Sequence, residues 1–157
     1  MNYLKRPKLL ISAAWLLHIM AWFLPVIKDG IRLPDGLPGW QAFRAASSVF
    51  YSRSEFKDWY FAVIAGTGSV TTLLFLFGSP FVVLRGSHRL TSAAAWAASV
   101  AFVVNAQWYI LDASERGAYM IGYLFWCLSF AVLAAGLFDL ARQRSRIAVS
   151  KSAGLLS

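Results

Sequence analysis

The stretch of sequence that decides the fold lies at residues 59–84 and reads WYFAVIAGTGSVTTLLFLFGSPFVVL. It is an apolar run longer than the about 20 residues that a helix needs to cross a bilayer. Three more runs of sufficient length lie at 9–27, 90–111 and 118–140. Only helices and closed barrels satisfy their backbone hydrogen bonds in lipid. The sequence therefore predicts an all-α, polytopic membrane protein in which four transmembrane helices form a bundle.

The amino-acid composition is consistent with a protein whose surface is in an apolar environment. The chain has 157 residues, of which 59% are hydrophobic and 14% are charged. An ordinary soluble domain carries roughly 25% charged residues, which it needs to cover its surface. A chain with so few charges and several long apolar runs is typical of a membrane protein. The length fits a single membrane domain over residues 1–157.

The first two runs each need a further interpretation. Three basic residues precede the run 9–27, and this pattern also occurs in secretory signal peptides. The run is longer than the about 7 to 15 apolar residues of a signal peptide, and no small-x-small cleavage site follows it, so we expect a retained helix. The second run exceeds the length of one span, and Gly78 and Pro80 predict a bend there.

The basic residues are distributed unequally between the two predicted sides of the membrane. Nine lie in the amino-terminal segment, in the turn between the second and third helices, and in the tail 141–157: Lys5, Arg6, Lys8, Arg85, Arg89, Arg142, Arg144, Arg146 and Lys151. The six on the other side are matched by six acidic residues. Because cytoplasmic loops retain Lys and Arg, this pattern predicts cytoplasmic termini, in a bacterial inner membrane. The charges form no basic face, so we expect no binding to nucleic acid.

The loop 28–58 is the one long predicted connection, on the outer side. Turn signals at 34–39 come first, and the segment 39–51 then has apolar and aromatic residues at helical spacing. It is predicted to form a short amphipathic helix that lies on the membrane surface or caps the bundle. In the functional interpretation it covers a cavity or presents aromatic side chains to a partner. The candidate contact residues on this outer surface are Trp40, Phe43 and Phe50.

Several polar residues fall inside the predicted spans, mostly in their outer halves. An ionisable residue in the middle of a span suggests a functional site, because its burial in lipid is costly. The candidate intramembrane polar site consists of His18, Asn105, Gln107, Thr67 and Tyr123. The alternative is that these groups join packed helices through hydrogen bonds of about 0.6 kcal/mol each.

Small residues recur on two of the predicted helices. Ala93, Ala97 and Ala101 form a small-xxx-small series on the third helix, and Ala131 and Ala135 continue the pattern on the fourth. Such faces let helix backbones approach closely. They indicate tight packing, either within the bundle or against a partner, and the sequence leaves both alternatives open.

The sequence contains no recognisable catalytic constellation. A single cysteine, Cys127, excludes an intrachain disulfide. His18 lies in the middle of a span and His88 in a turn, so two-histidine ligation of haem within the chain is not expected. The one acidic residue within the predicted spans, Asp139, lies at the inner boundary and is predicted to form a surface pair with Arg142. We therefore expect no enzyme activity, no metal and no cofactor.

Two functional hypotheses follow from these residues. The first is a non-enzymatic inner-membrane protein that acts through helix packing with a membrane partner, as an accessory subunit, an assembly factor or an immunity-type protein. The alternative is a small binding or permeation protein whose polar pocket takes an ion, a lipid or another amphiphile. The expected partners are the lipid bilayer and either another membrane protein or a second copy of this chain.

Overall fold

A computed structural model of the protein describes residues 5–29, 33–52, 59–111 and 119–154. The chain is mostly helical, as predicted. The described elements are α1 (Lys5–Phe23), β1 (Pro25–Asp29), β2 (Leu33–Pro38), α2 (Gly39–Ser47), α3 (Trp59–Leu73), α4 (Ser79–Arg85), α5 (His88–Leu111) and α6 (Ile121–Gly154). A 3-10 turn, Ser48–Phe50, follows α2, and a π-helical turn, Leu74–Gly78, joins α3 to α4.

Three of the described helical stretches are long and apolar enough to cross a membrane: Ala62–Arg85, His88–Gln107 and Ile121–Ser150. They correspond to the second, third and fourth predicted spans. The first predicted span does not meet the same criterion, because α1 begins with Lys5, Arg6 and Lys8 and carries a histidine in its second half.

The first helix also ends earlier than predicted, at Phe23 rather than at residue 27. Pro25 follows directly, and proline disfavours the helical conformation in the residue before it. The chain instead forms an antiparallel hairpin in which Ile27 pairs with Leu37. This hairpin departs from the all-α prediction, and residues 34–38, predicted as turns, belong to β2. Its register is irregular, and Gly36 adopts a φ of 82° that glycine tolerates.

The segment 39–51, predicted as a short helix, contains α2 and the 3-10 turn that follows it. Residues 30–32 and 53–58 of the predicted outer loop lie outside the described residues. So do residues 112–118, which include the predicted start of the last span at Ala118, and residues 155–157 of the predicted tail.

A π-helical turn interrupts the second hydrophobic helix where the sequence predicts a bend. Pro80 cannot donate a backbone hydrogen bond, and its ring would clash with the carbonyl oxygen four residues earlier. The wider turn Leu74–Gly78 immediately precedes the proline. A π-helical turn is one recognised way for a helix to accommodate such a disturbance.

The long helix α6 is the centre of the molecule, and its two largest interfaces are with α1 and α5. At Gly136, an added Cβ would lie 2.9 Å from Ile11 Cγ1 and 3.1 Å from Leu10 Cβ. The glycine therefore allows α1 to lie directly against α6. Phe75, Phe130 and Leu137 are among the largest side chains buried in the core.

One end of the bundle, which we name the turn end, contains the connection between α4 and α5. There α6 continues to Gly154, so residues 141–154 of the predicted tail are helical. The Asp139 carboxylate lies 3.8 Å from Arg142, as predicted, and 3.2 Å from Arg6 on α1. His88 Nδ1 donates to the backbone oxygen of Ala141 at 3.1 Å. The turn end is therefore tied to α6 by polar contacts. We name the opposite end, with β1 and β2, the hairpin end.

Candidate functional site

A cavity of about 170 Å³ lies at the hairpin end, directly beneath α2. We name it the α2 cavity. Helix α2 covers it on one side, and the end of α1, strand β1, helix α3 and the start of α6 form its other walls. Its lining residues are Ala21, Trp22, Val26, Ile27, Gly39, Ala42, Phe43, Ala46, Ile64, Ala65, Gly68, Ser69, Thr72, Tyr119, Tyr123 and Trp126.

Three contacts hold α2 over this cavity. The backbone N–H at the start of α2, Gly39, donates to the carbonyl oxygen of Leu24 at 3.1 Å. The ring of Phe43 stacks on that of Trp22 with centroids 5.6 Å apart. At the end of α2, the Ser47 hydroxyl donates to Ser69 Oγ at 3.2 Å. The cover is thus attached at both ends and along its inner face.

The inner face of α2 is shaped by small residues. Ala42 and Ala46 are four residues apart and therefore lie on the same side of the helix. They flank Phe43 on the cavity side, whereas Ala45 is exposed and borders a shallow groove on the opposite face. A helix with larger residues at positions 42 and 46 would fill the space beneath it. The cavity therefore depends on these two alanines.

The polar groups of the α2 cavity are hydroxyls. Thr72 donates its hydroxyl hydrogen to the carbonyl oxygen of Gly68 at 3.0 Å, and Tyr123 donates to that of Asn105 at 2.5 Å. Each hydroxyl oxygen has two acceptor positions in addition to its hydrogen, so it can also accept a hydrogen bond. No acidic or basic side chain is among the described residues that line the cavity. The α2 cavity is chemically suited to an apolar group that carries a weak hydrogen-bond donor.

The structure brings together two of the residues of the predicted intramembrane site, Asn105 and Tyr123. The Asn105 side chain donates through Nδ2 to Thr71 Oγ1 at 3.1 Å and to the carbonyl oxygen of Ala101 at 2.7 Å. Thr67, which the sequence placed in this site, donates to the carbonyl oxygen of Val63 in its own helix. Thr71 takes the position that the sequence assigned to Thr67.

Gln107 and His18 differ from these two residues in their surroundings. Gln107 is partly exposed on α5. His18 is 1% exposed, and it is not joined to Asn105 or Tyr123 by the hydrogen bonds of the described residues. Among the described hydrogen bonds, those of the five predicted site residues therefore join Asn105 with Tyr123, and His18 lies in separate surroundings.

His18, on α1, lies against aromatic side chains of α6 and of the π-helical turn. Its Nδ1 is 2.9 Å from Ser129 Oγ, and Ser129 donates its own hydrogen to the carbonyl oxygen of Trp126 at 2.6 Å. Ser129 must therefore accept, so the proton of the neutral imidazole is on Nδ1. The ring stacks on Phe75 at a centroid distance of 4.1 Å. Its Nε2 has no hydrogen-bond partner among the described residues.

The three predicted outer-surface contacts do not share one face. Trp40 is 43% exposed and Phe50 is 60% exposed. Phe43 points inward, where it stacks on Trp22 and lines the α2 cavity. Only the first two remain candidates for an external contact.

The predicted site omitted Ser69 and Thr72, which are polar residues of the second span, and sequence reasoning missed Ala42 and Trp126 as lining residues. The pair of alanines spaced by four on an amphipathic helix was the available signal for two of the cavity positions. Among the described residues, no group of three or more His, Cys, Asp or Glu side chains could hold a metal ion. Comparison with models of protein families, with curated proteins and with solved structures finds no match to this chain.

Proposed function

We propose that this chain is a small, non-enzymatic binding protein of a bacterial inner membrane that holds the apolar part of an amphiphile in the α2 cavity. The observation that carries the proposal is an apolar cavity enclosed by an amphipathic helix. Ligand sites are typically concave and mostly apolar, with a few placed polar groups. The lining of five aromatic rings and four hydroxyl groups, two of them on tyrosine rings, fits that description.

The proposed arrangement has four transmembrane helices with both ends in the cytoplasm. α1 is included as the fourth span because it packs along α6 and its three basic residues all lie in its first turn. The turn end carries Arg85, Arg89, Arg142 and Arg144, which favours a cytoplasmic position for it. The hairpin end and α2 then face the outside, at the depth of the outer headgroups.

The volume of the cavity limits the size of the ligand. An apolar cavity of about 150 Å³ accepts a molecule of the size of benzene. The α2 cavity, at about 170 Å³, therefore takes one aromatic ring or a short segment of an aliphatic chain. Because none of the described residues that line the cavity is charged, an ion is disfavoured as the ligand. We accordingly expect a ligand with a small apolar group and a hydroxyl or amide donor.

The test compares ligand-induced stabilisation in two matched variants of the full chain in lipid nanodiscs. Phenol, 4-ethylphenol and ethylbenzene are the probes. A ligand at about 100 times its Kd stabilises the folded state by about 2.7 kcal/mol, which a thermal unfolding experiment detects. Ala46→Leu fills the cavity and is expected to abolish the shift. Ala45→Leu makes the same change on the exposed face of α2 and is expected to keep it.

Equal shifts in both variants would contradict the proposal, as would the absence of a shift with every probe in the unmodified protein. Fluorescence provides a second readout, because Trp22 and Trp126 line the cavity. A probe that enters it is expected to change their emission in the unmodified chain and in Ala45→Leu, and not in Ala46→Leu.

The second candidate function is helix packing with a membrane partner, and one face of α6 favours it. Ile121, Leu124, Leu128 and Ala135 lie along this helix at helical spacing and are all exposed. Such a stripe, with a small residue at one end, can receive another helix. Native mass measurement after mild extraction tests it: Leu128→Ala is expected to weaken a dimer or a partner complex, and a monomer without partners would contradict it.

A further inference from the structure

A second cavity, of about 320 Å³, lies on the side of the bundle between the π-helical turn and α5. We name it the lateral crevice. It runs from the middle of the bundle toward the turn end, whereas the α2 cavity lies at the hairpin end. Its lining residues are Thr71, Leu74, Phe75, Gly78, Ser79, Val82, Leu90, Ala93, Ala94, Ala97, Ala98, Ala101, Phe130, Leu133 and Leu137.

The lateral crevice exists because both of its walls lack large side chains at the point where they face each other. Ala93, Ala97 and Ala101 are three of the alanines on the α5 wall. On the other wall, a Cβ added to Gly78 would have no atom within 4 Å. The small-xxx-small face that the sequence predicts as a tight helix contact therefore lines an open space.

The residues that line the lateral crevice are mostly apolar, and their hydroxyl groups form hydrogen bonds within the protein. Its two hydroxyl groups are already engaged: Thr71 donates to the carbonyl oxygen of Gly68 at 2.9 Å, and Ser79 donates to that of Phe75 at 2.7 Å. Each also accepts a bond, from Asn105 and Trp15 respectively. Apolar cavities of this kind stay free of water. The expected occupant is a hydrocarbon chain.

The turn end of the lateral crevice is positively charged. Val82 and Leu90 line it there, and Arg85 and Arg89 are exposed within three residues of them along the chain. Neither arginine has a carboxylate partner among the residues that the structure describes. α5 begins at His88, and the start of a helix favours an anionic group. The positive charge at this end of the lateral crevice is therefore complementary to the negative charge of a phosphate group.

From these observations we infer that the lateral crevice binds one acyl chain of an anionic phospholipid, whose phosphate lies at Arg85 and Arg89. The distance along α5 from Leu90 to Ala101 is about 16 Å at 1.5 Å per residue, which is about half of the hydrocarbon core of a bilayer. One acyl chain of the cytoplasmic leaflet has this reach. The inference rests on the proposed membrane location and not on the α2 cavity.

Native mass spectrometry of the full chain in detergent tests the inference, with added dioleoyl phosphatidylglycerol or dioleoyl phosphatidylcholine. The unmodified protein is expected to retain one phosphatidylglycerol and to prefer it over phosphatidylcholine. Arg89→Gln is expected to reduce this preference about fivefold, because one basic residue near an anionic headgroup contributes about 1 kcal/mol. Arg146→Gln removes an exposed charge beyond the lateral crevice and is expected to leave the preference unchanged.

Ala97→Leu and Ala93→Leu insert side chains into the lateral crevice and are expected to abolish retention of the lipid. Both residues are exposed, so the folded bundle should persist, which thermal unfolding checks. Ala13→Leu makes the same change on an exposed face of α1 and serves as the control. Equal retention of the two lipids, or retention unchanged in both crevice variants, would overturn the inference.

Two further outcomes identify a different occupant or location. A dimer of the chain that Ala97→Leu dissociates would show that a second copy fills the lateral crevice, and this also overturns the inference. Extraction of the protein from membranes by alkaline carbonate would contradict the membrane location on which it rests. The substitutions that test the lateral crevice change no residue that lines the α2 cavity. The two proposals can therefore fail separately.

Discussion

The guanidinium of Arg144 donates a hydrogen bond of 2.6 Å to the backbone oxygen of Val83, which lies 61 residues earlier in the chain. The same group donates to the backbone oxygen of Val82 at 3.0 Å and to the Thr91 hydroxyl. Both carbonyls belong to the last turn of α4, where backbone oxygens need partners from beyond the helix; the oxygen of Val82 also accepts the N–H of Gly86 at 2.9 Å. One side chain of α6 therefore caps α4 and contacts α5.

Arg144→Lys is expected to lower the free energy of unfolding by about 1.5 to 3 kcal/mol, the range for hydrogen bonds to a charged group. Lysine keeps the positive charge but cannot bridge several acceptors with a planar fork. Thermal unfolding in detergent measures the loss. Arg146→Lys, at an exposed position two residues further, is the control and should leave Tm unchanged. Equal Tm values for the two variants would show that the cap contributes nothing.

Thr71→Val is expected to cost about 1 kcal/mol, because the Asn105 side chain loses one of its two acceptors within the bundle. Thr67→Val is the matched control on the same helix, since the Thr67 hydroxyl donates to the carbonyl oxygen of Val63 in that helix and the residue is partly exposed. Its effect should stay within about 0.5 kcal/mol. The test is to measure the free energy of unfolding of both variants and to compare their losses. If Thr67→Val proved the more damaging, the described cluster around Asn105 would be wrong.

Ser129→Ala is expected to destabilise the protein by about 1 to 3 kcal/mol, because it leaves the buried Nδ1–H of His18 without an acceptor. His18→Phe removes that donor and keeps an aromatic ring against Phe75. In a double-mutant cycle, the combined variant should therefore lose less stability than the sum of the single variants. Additive losses would indicate that the two side chains are not coupled.

Gly136→Ala is expected to destabilise the bundle by about 1 to 3 kcal/mol, the usual cost of overpacking, because the new methyl group meets Ile11 and Leu10. Gly78→Ala places the same methyl group where no atom lies within 4 Å. It should be neutral or stabilising by up to about 1 kcal/mol, since alanine favours helices over glycine. Unfolding of the two variants under identical conditions measures the contrast, and equal losses would contradict close packing of α1 on α6.

The proposed orientation predicts opposite labelling of two engineered cysteines. Tyr51 is exposed beyond α2, and Ser87 is exposed in the turn between α4 and α5. In a Cys127→Ser background, a membrane-impermeant maleimide should label Tyr51→Cys in intact cells and Ser87→Cys only after the cells are opened. Labelling of Ser87→Cys in intact cells would reverse the assigned sides.

Several features could be predicted from the sequence because they depend on composition along the chain. The apolar runs at 59–84 and 90–111 lie in helical stretches that have the length and hydropathy of membrane spans. The Asp139–Arg142 pair follows from i,i+3 spacing on one helix, and the bend follows from Pro80. Each of these properties is set by neighbouring residues.

Other features were not accessible to the same reasoning. Thr67 and Thr71 are chemically identical and lie on the same helix, and only the position of Asn105 on α5 decides which of them accepts its hydrogen bond. Arg144 has the same side chain as Arg142 and Arg146, and the proximity of α4 gives it a different role. The helix α6 continues past residue 140 because no proline or glycine lies between residues 140 and 154. The change to a polar composition after residue 140 hid this continuation from the sequence-based prediction.

The sequence by itself determined that the chain is helical and has apolar segments long enough for a membrane, because backbone hydrogen bonding and hydrophobicity act locally. The tertiary structure alone decided that Pro25–Asp29 pairs with Leu33–Pro38, that α2 covers a cavity, and that the alanine face of α5 borders an open crevice. The cavity and the crevice arise where segments distant in sequence meet, and the space between those segments depends on how closely their backbones approach.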